Sequence, residues 1–203
     1  MGKLTILITG ASGYVGRYAV AEARARKHHV VAHVRRAESA LPEWHDDPMI
    51  TIACADLTDQ DDGLLSLVEG VDAVIHAAAS LAGDESQQKR DTLNATNALT
   101  AAIAQSTSKP RLVLISSIAV YDGRNRANSI DETSPLEGRP DLRDLYCRTK
   151  LLQETQASQI AKTAGFALWI LRAGAVFGPS RLWNAQVGLS FGPLCVRLGK
   201  RGQ

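Results

Sequence analysis

Short apolar runs alternate along the chain with longer stretches in which apolar residues recur at helical spacing. The runs cover residues 4–8, 30–34, 50–55, 73–79, 111–115 and 166–171. Helical spacing follows the first run, with residues 15, 19, 20 and 23 on the inner face, and returns at 61–69, 86–106 and 145–164. Strands that are apolar throughout are buried on both faces, and their alternation with helices implies right-handed crossovers. The pattern predicts an α/β fold with a doubly wound parallel sheet.

Three glycines, Gly10, Gly13 and Gly16, separate the first strand from the first helix. Gly10 permits a tight turn, Gly13 lets the backbone approach a pyrophosphate, and Gly16 allows the helix to pack closely against the strand. The N–H groups at the helix start would hold the phosphate charge. No Gly-Lys-Ser/Thr follows, which excludes a nucleoside-triphosphate loop. The turn therefore predicts a dinucleotide site, and a glycine-rich turn without a ligand is the alternative.

An arginine stands where an NAD-type fold carries an acid, at the end of the second strand. An acid there would bind the two ribose hydroxyls and repel a 2′-phosphate, whereas an arginine attracts that phosphate. Arg35 therefore favours NADP, with NAD as the alternative cofactor. Two solvated surface arginines, Arg35 and Arg36, are the interpretation without a ligand.

Composition narrows the class of protein. The chain has 203 residues, 45% hydrophobic and 22% charged, which suits one domain with a sizeable core or one domain plus a fragment. The net charge of +2 and the absence of a basic stripe give no support for a nucleic-acid partner. No apolar run reaches membrane-spanning length, and the N-terminus shows no signal-peptide pattern. The few and distant cysteines argue against a disulfide framework and favour the cytoplasm.

Tyr146 and Lys150 lie four residues apart on a predicted helix, so their side chains share one face. A tyrosine has a pKa near 10, but an ammonium at about 5 Å, with an effective dielectric of about 20, favours the phenolate by roughly 3 kcal/mol. That shift of about two pKa units brings the phenol into the range of general acid–base catalysis. Ser117, at the end of the fifth strand, could donate a hydrogen bond to a substrate oxygen. Each feature alone is common by chance; their order downstream of the glycine turn favours an active site.

The other residues with reactive or ionisable side chains are expected to have structural roles or to be exposed to solvent. Cys147 is expected to be a buried packing residue, because no activating partner is apparent. His33 and His76 are expected to be strand residues and not ligands. The long polar segment 122–145 is typical of a functional or disordered loop, and its acids are expected to be solvated: Asp131, Glu132 and Glu137. No spacing suggests a metal site.

Six motifs in order resemble those of the extended short-chain dehydrogenase/reductases, the group that includes NAD-dependent epimerases, dehydratases and NADPH-dependent reductases. The resemblance runs from residue 3 to about residue 179. The motifs are TGASGYVG at 9–16, ADLTD at 55–59, HAAA at 76–79, SSIAVY at 116–121, YCRTK at 146–150 and LRAGAVFGP at 171–179.

The resemblance implies a Rossmann fold with strand order 3-2-1-4-5-6, covering residues 1–179. It implies Tyr146 as the general acid–base, Lys150 as the group that lowers its pKa and holds the nicotinamide ribose, and Ser117 as the group that orients the substrate oxygen. The implied cofactor contacts are Thr9, Gly10, Ser12, Gly13, Tyr14, Val15, Gly16, Arg35, Asp56, Leu57, Ala77, Ala78, Ala79, Ser116, Tyr146, Lys150, Ala173 and Val176.

The sequence departs from the family pattern at three places. Thr92 stands at the position of the usual asparagine before strand five, unless Asn94 has taken that role. Ala173 replaces the usual proline after Arg172. The segment 180–203 looks like the start of a substrate lobe that is cut short, and its apolar residues would need cover from missing chain or from a second copy in a homodimer. They are Trp183, Val187, Leu189, Phe191, Leu194, Val196 and Leu198.

These observations favour an NADP-dependent oxidoreductase that acts on the carbonyl or secondary alcohol of a small-molecule substrate. One alternative is a nucleotide-sugar epimerase or dehydratase with a tightly bound cofactor. Another is a regulatory module that binds NADP without turnover. Substrate identity is not encoded in any pattern of this sequence that we can interpret.

Overall fold

A computed structural model describes residues 2–59, 63–80, 83–124, 129–179, 188–191 and 194–197. The chain divides into two compact units, Met1–Arg172 and Ala173–Gln203. Among the described residues, no helix combines the length and the apolarity that crossing a bilayer requires.

The strands are β1 (Thr5–Thr9), β2 (His29–Val34), β3 (Ile50–Cys54), β4 (Ala73–His76), β5 (Arg111–Ser117), β6 (Leu168–Ala173), β7 (Gly188–Phe191) and β8 (Leu194–Arg197). The helices are α1 (Tyr14–Ala25), α2 (Gly63–Val68), α3 (Glu85–Gln88), α4 (Ala95–Gln105) and α5 (Leu145–Ala164), and a π-helical segment, Lys89–Asn94, joins α3 to α4. Short 3-10 turns lie at Ala37–Ser39, Pro42–Trp44, Ile118–Val120 and Pro140–Leu142.

Six strands form one sheet in the order β3-β2-β1-β4-β5-β6, which confirms the predicted doubly wound topology. The β1–β2, β1–β4, β2–β3 and β4–β5 pairs are parallel. Their register places Thr9 beside His33 on one side and His76 on the other. Parallel strands all present their carboxyl ends at one edge, so the residues that follow β1, β2, β4 and β5 meet there.

The core lies on both faces of the sheet. On one face, Ile6 and Ile8 pack against Val20 of α1 and against Trp44. On the other face, Leu7, Val74 and Leu112 pack against Leu99 and Ile103 of α4. Alternate residues of each strand therefore enter different cores, which is why the strands are apolar throughout.

Several element boundaries differ from the sequence prediction. The fourth strand ends at His76 and not at Ala79, because the glycine turn packs against the chain at Ala77 and Ala78. The fifth strand continues two residues beyond 115 to Ser117, and the sixth spans Leu168–Ala173 in place of 166–171. The predicted helix 86–106 is three segments, α3, the π-helical segment and α4; apolar periodicity cannot detect a single inserted residue of this kind.

Helix α5 begins and ends where capping residues place it. The Asp144 carboxylate accepts a hydrogen bond from the Cys147 backbone N–H at 2.7 Å, and this satisfies one of the open donors of the first turn. Gly165 adopts a left-handed conformation with φ 74°, as expected of a C-terminal cap. The predicted helix 145–164 is therefore confirmed.

The second unit contains an antiparallel pair, β7 and β8, in which Leu189 lies opposite Val196. Phe191 and Leu194 are also opposite one another in this pair. Of the tail residues singled out from the sequence, Trp183, Val187 and Leu198 lie outside the described residues.

Candidate functional site

A cavity of about 580 Å³ lies at the carboxyl edge of β1, β2, β3 and β4. Its volume falls within the range of small-molecule and cofactor sites. It is lined by Gly10, Ser12, Gly13, His33, Val34, Arg35, Ala55, Asp56, Leu57, Thr58, Ala77, Ala78, Ala79, Ser80, Gly83, Gln87, Asp91 and Ala95.

The glycine turn forms one wall of this cavity. Gly10 has φ 65°, a left-handed conformation, and a Cβ built on it would lie 2.8 Å from the backbone N and Cα of Ala78. A Cβ on Gly16 would collide with the carbonyl oxygen of Gly10. Both positions therefore require glycine, and the turn is held tightly between β1, α1 and the chain after β4.

The start of α1 offers an electropositive surface to this cavity. Gly13 is the N-cap and brings no side chain to the open N–H groups of the first helical turn. That first turn contains no acidic residue. The backbone donors and the positive end of the helix dipole therefore fit a pyrophosphate, and the flat alanine wall of Ala77 to Ala79 fits a planar ring.

Arg35 lies at the mouth of the cavity, just beyond β2. Its Nη1 is 3.4 Å from Oδ2 of Asp91, whose side chain is 12% exposed. The Nε of Arg90 also contacts Asp91, at 2.8 Å, and this hydrogen bond and Arg35 lower the pKa of Asp91 against the opposing effect of desolvation. Two guanidinium groups thus share the Asp91 carboxylate, and the Asp56 carboxylate on the same wall of the cavity also interacts with Arg35.

Asp56 and Leu57 lie on the cavity wall where β3 ends. The carboxylate of Asp56 accepts hydrogen bonds from the backbone N–H of Thr58 at 2.9 Å and from its hydroxyl at 2.8 Å. Both bonds lower the pKa of Asp56, and the bond from the backbone N–H has the larger effect. The carboxylate is therefore charged at neutral pH, as a partner for ribose or adenine donors must be, while Leu57 is buried beside it.

The structure brings the first half of α5 against the end of β5, where Lys150 and Cys147 contact the backbone on either side of Ser117. The Nζ of Lys150 donates to the carbonyl oxygen of Ile115 at 2.9 Å, two residues before Ser117. The Sγ of Cys147 donates to the carbonyl oxygen of Ala119 at 3.0 Å, two residues after it. Ser117 Oγ accepts from the Ala119 N–H at 3.2 Å, which uses a lone pair of the hydroxyl and not its hydrogen. Tyr146 is half-buried in the first turn of α5.

Cys147 is fully buried, and desolvation raises the pKa of its thiol. A thiol with a raised pKa is a poor nucleophile, so the packing role expected of Cys147 is confirmed.

Lys150 is a buried cation. Burial lowers its pKa to about 8, and the neighbouring Glu154 acts in the opposite direction. Its ammonium also donates to Oε1 of Gln153 at 2.9 Å. A lysine with this pKa is still largely protonated at neutral pH.

A buried chain of hydrogen bonds continues from Lys150 to β1. Gln153 Nε2 donates to Thr96 Oγ1 at 2.8 Å, and Thr96 Oγ1 lies 2.9 Å from Nε2 of His76. His76 Nδ1 lies 2.6 Å from Thr9 Oγ1. Burial lowers the pKa of His76 to about 3, with Lys150 and His33 adding to the effect. His76 is therefore neutral and bridges β1 to α4, and its position in β4 confirms the expectation that it is a strand residue.

A second buried network fixes the end of β5 to α5 and β6. The Glu154 carboxylate accepts a short hydrogen bond from the Ser116 hydroxyl and pairs with Arg172 at 2.9 Å. Arg172 also donates to the Tyr121 hydroxyl at 3.1 Å and lies 4.9 Å from the centre of its ring. These contacts raise the pKa of Arg172, with Glu154 the largest cause.

A smaller cavity, of about 410 Å³, lies in the loop between β5 and α5. Glu137 is buried here between Arg143 at 2.9 Å and Arg124 at 3.6 Å. The expectation that Glu137 is solvated is therefore wrong, because its loop folds back to pair it with arginines that sequence spacing does not identify. Arg143 in addition donates to the carbonyl oxygens of Ala119 and Tyr121, so its guanidinium holds the loop together.

The remaining predicted site residues take varied positions. Thr92 is fully buried and its Oγ1 accepts from the Ser80 N–H at 3.0 Å, whereas Asn94 is exposed. Ala173 and Val176 belong to the second unit. Predicted contacts that do not line the larger cavity are Thr9, Tyr14, Val15, Gly16, Ser116, Tyr146 and Lys150.

Sequence reasoning missed Asp91, Thr96 and Gln153. They lie on the π-helical segment, α4 and α5, whose packing against the sheet brings them to the site, and no motif marks them. The spacing of three between Lys150 and Gln153 was the available signal. Within the described ranges, no cluster of three or more histidine, cysteine, aspartate or glutamate side chains could hold a metal ion.

A parallel sheet in this order, with a glycine turn opening a helix at the switch point, defines a dinucleotide-binding α/β domain. The profile of the NAD dependent epimerase/dehydratase family matches residues 6–188. The chain belongs to that family, and thus to the extended short-chain dehydrogenase/reductases.

Several proteins are similar to the chain in sequence. Cinnamoyl-CoA reductase 1 of Arabidopsis thaliana is 31% identical over 185 residues, which is 86% of this chain and 53% of the relative. A 3 beta-hydroxysteroid dehydrogenase/Delta 5-->4-isomerase of Mycobacterium tuberculosis is 31% identical over 183 residues, 85% of this chain and 47% of the relative. The chain spans about half the length of these relatives.

Solved structures share the fold. A short-chain dehydrogenase/reductase superfamily protein from Agrobacterium tumefaciens with bound NAD has a TM-score of 0.67 and 25% identity, covering 83% of this chain and 48% of that one. A UDP-glucuronic acid 4-epimerase from Bacillus cereus in complex with NAD has a TM-score of 0.71 and 22% identity, covering 86% and 58%.

Proposed function

We propose that the chain is the cofactor-binding and catalytic part of an NADP-dependent oxidoreductase that converts between a carbonyl and a secondary alcohol. The observation that carries this proposal is the buried Lys150 ammonium, bonded to the end of β5 beside Ser117 and on the helix that bears Tyr146. In the proposed reaction Tyr146 would be the acid and base, Lys150 the cation that assists it, and Ser117 the hydrogen-bond donor.

The cofactor would lie in the larger cavity, with its pyrophosphate on the glycine turn, its adenosine between Asp56, Leu57 and Arg35, and its nicotinamide beyond the alanines. When bound, it supplies or accepts hydride at the nicotinamide ring. Arg35 supports NADP, because its guanidinium can donate hydrogen bonds to a 2′-phosphate that an acidic residue would repel.

In the reducing direction, Tyr146 would donate its phenolic proton to the substrate oxygen as the alcohol forms. Lys150 would stabilise the resulting phenolate through its positive charge. Ser117 would donate its hydroxyl hydrogen to the same oxygen, because its lone pair already binds the Ala119 N–H. The names of relatives, a reductase and a hydroxysteroid dehydrogenase, support this reaction type.

Replacing Tyr146 with phenylalanine tests the proposal. We expect Tyr146→Phe to lower turnover at least about 100-fold, since the proton donor is lost, while NADPH affinity stays close to that of the parent. Turnover would be measured as NADPH consumption against a panel of aldehydes and ketones, and affinity by NADPH fluorescence. Tyr18→Phe, on the exposed side of α1, is the matched control. Retained turnover in Tyr146→Phe would remove the tyrosine from the mechanism.

A nucleotide-sugar epimerase or dehydratase is the second candidate, favoured by the family profile and by the epimerase folds among the solved structures. Cofactor balance discriminates between the two. A reductase consumes NADPH in proportion to product, whereas an epimerase oxidises and reduces its cofactor within one turnover and shows no net consumption.

A further inference from the structure

We infer that Gln153 is the positioning residue of Lys150: its side-chain amide holds the ammonium against the end of β5. A hydrogen bond to α4 fixes the orientation of that amide. Gln153 is fully buried on α5, one helical turn after Lys150. None of the family motifs described above includes position 153.

The orientation of the Gln153 amide follows from counting donors and acceptors. The Thr96 hydroxyl donates its only hydrogen to the carbonyl oxygen of Thr92 at 2.6 Å. Thr96 Oγ1 can therefore only accept from Gln153 Nε2 and from His76. Gln153 Nε2 must face Thr96, and its Oε1 is left facing the Lys150 ammonium at 2.9 Å. A flipped amide would set Nε2 against the ammonium and Oε1 against a hydroxyl with no hydrogen left to give.

This arrangement gives the ammonium two fixed acceptors, Gln153 Oε1 and the carbonyl oxygen of Ile115. A buried cation without acceptors loses its proton, because desolvation favours the neutral amine. The ammonium is thus held by a glutamine of its own helix, and that glutamine is anchored to Thr96 of α4.

Few other charges act on Lys150. On α5 itself, Glu154 follows it and Tyr146 precedes it; from β4, His76 faces the same network and is neutral. Helix α4 contains no ionisable residue, and Arg111 is the only ionisable residue of β5, at the strand's far end. Asp91, in the segment before α4, is paired with Arg90 and Arg35. Glu154 is thus the charge that acts on Lys150, and Gln153 and the carbonyl oxygen of Ile115 are the acceptors that its ammonium contacts.

Titration of Lys150 in the cofactor-free chain tests the inference. The pKa would be read from the ¹³C resonance of its labelled ε-carbon, assigned by its absence in Lys150→Arg. We expect Gln153→Met, which keeps the side-chain length and removes the acceptor, to lower the pKa of Lys150 by about 1. Gln153→Glu should raise it by about 1, because a carboxylate replaces the amide oxygen.

Gln159→Met, on the exposed face of the same helix, is the control and should leave the pKa of Lys150 unchanged. Near-ultraviolet circular dichroism reports folding; if Gln153→Met does not fold, Gln153→Glu alone decides. A packing role for Gln153 predicts no change in Gln153→Met, and a side chain that does not face the ammonium predicts no rise in Gln153→Glu. A pKa of Lys150 within about 0.3 of the parent in either folded variant would overturn the inference.

The catalytic consequence rests on the proposed function. In alcohol oxidation, Tyr146 must be deprotonated, and a less charged Lys150 raises the pH at which this happens. The acidic limb of the pH profile of kcat should therefore move to higher pH in Gln153→Met, with KM for NADP little changed. Absence of turnover in the parent would count against the proposed function and leave the titration result intact; an unmoved limb in an active Gln153→Met would overturn the inference.

Discussion

We propose that Arg35 is the residue on which cofactor choice depends in this chain. Its guanidinium contacts Asp91 at 3.4 Å and lies at the cavity mouth, so a 2′-phosphate would join an existing ion pair. We expect Arg35→Ala to weaken NADP binding about 10- to 100-fold, the worth of a charge-assisted hydrogen bond, and to change NAD binding far less. Isothermal titration with both cofactors measures this.

The neighbouring Arg36 provides the control for that experiment. It is exposed and pairs with Glu38 at 3.4 Å, so Arg36→Ala removes the same charge from a position that does not line the cavity. Equal losses of NADP and NAD affinity in Arg35→Ala would show that Arg35 does not recognise the 2′-phosphate.

Two constraints favour glycine at position 10, a left-handed backbone and close contact with the backbone of Ala78, and their effects on stability can be measured separately. Gly10→Ala places a Cβ in a left-handed backbone and also 2.8 Å from the backbone of Ala78. Gly70→Ala meets the same backbone demand, with φ 73°, but has nothing within 4 Å. We expect Gly70→Ala to lower the free energy of unfolding by about 1 kcal/mol and Gly10→Ala by about 1–3 kcal/mol more. Urea unfolding of both variants measures the difference, and equal losses would show that the turn can move away from Ala78.

The requirement for glycine at positions 10 and 16 could be predicted from sequence, because it follows from local geometry. The ion pair between Arg35 and Asp91 could not be predicted from the sequence. Its partners are 56 residues apart, and only the packing of the π-helical segment against the sheet edge brings them together. The burial of Glu137 was mispredicted for the same reason.

At the scale of elements, His76 connects β4 to β1 through Thr9 and to α4 through Thr96. Its pKa of about 3 lies below that of an unfolded histidine, so the unfolded state binds more protons between pH 3 and 6.5. Stability must therefore rise with pH across this window and be complete above 6.5.

We expect the difference in unfolding free energy between the parent and His76→Leu to shrink as pH falls from 6.5 to 3, by about 1.4 kcal/mol per pH unit. Urea unfolding at a series of pH values measures it, and the comparison cancels the other titrating groups that do not contact His76. His33, the neighbour that adds to its effect, is kept in both proteins. A difference that does not vary with pH would mean that His76 does not stay neutral in the folded chain.

Strand and helix existence was predictable because apolar periodicity reports which faces are buried. The ends of strands and helices were less predictable, because they depend on contacts with neighbouring segments. Strand β4, for example, ends where Gly10 approaches Ala78. The capping of α5 by Asp144 and Gly165 is local, and that helix matched its prediction at both ends.

At the scale of the whole molecule, the strand order was predictable from alternation and handedness together with the family motifs. The motifs also placed the glycine turn, Ser117 and Lys150 at the sheet edge where the structure has them. The network from Lys150 to Thr9 was not predictable, because it joins α5, α4, β4 and β1 across separations of up to 67 residues.

Every residue that lines the larger cavity lies between positions 10 and 95, whereas Ser117, Tyr146 and Lys150 lie after them. Under the proposed function, most of the contacts to the dinucleotide would come from the earlier stretch of the sequence, and the residues that process the substrate would come from the later one. Substitutions that alter the substrate can accumulate in the later stretch while the earlier one is kept, and recombination between relatives at the boundary could exchange one activity for another.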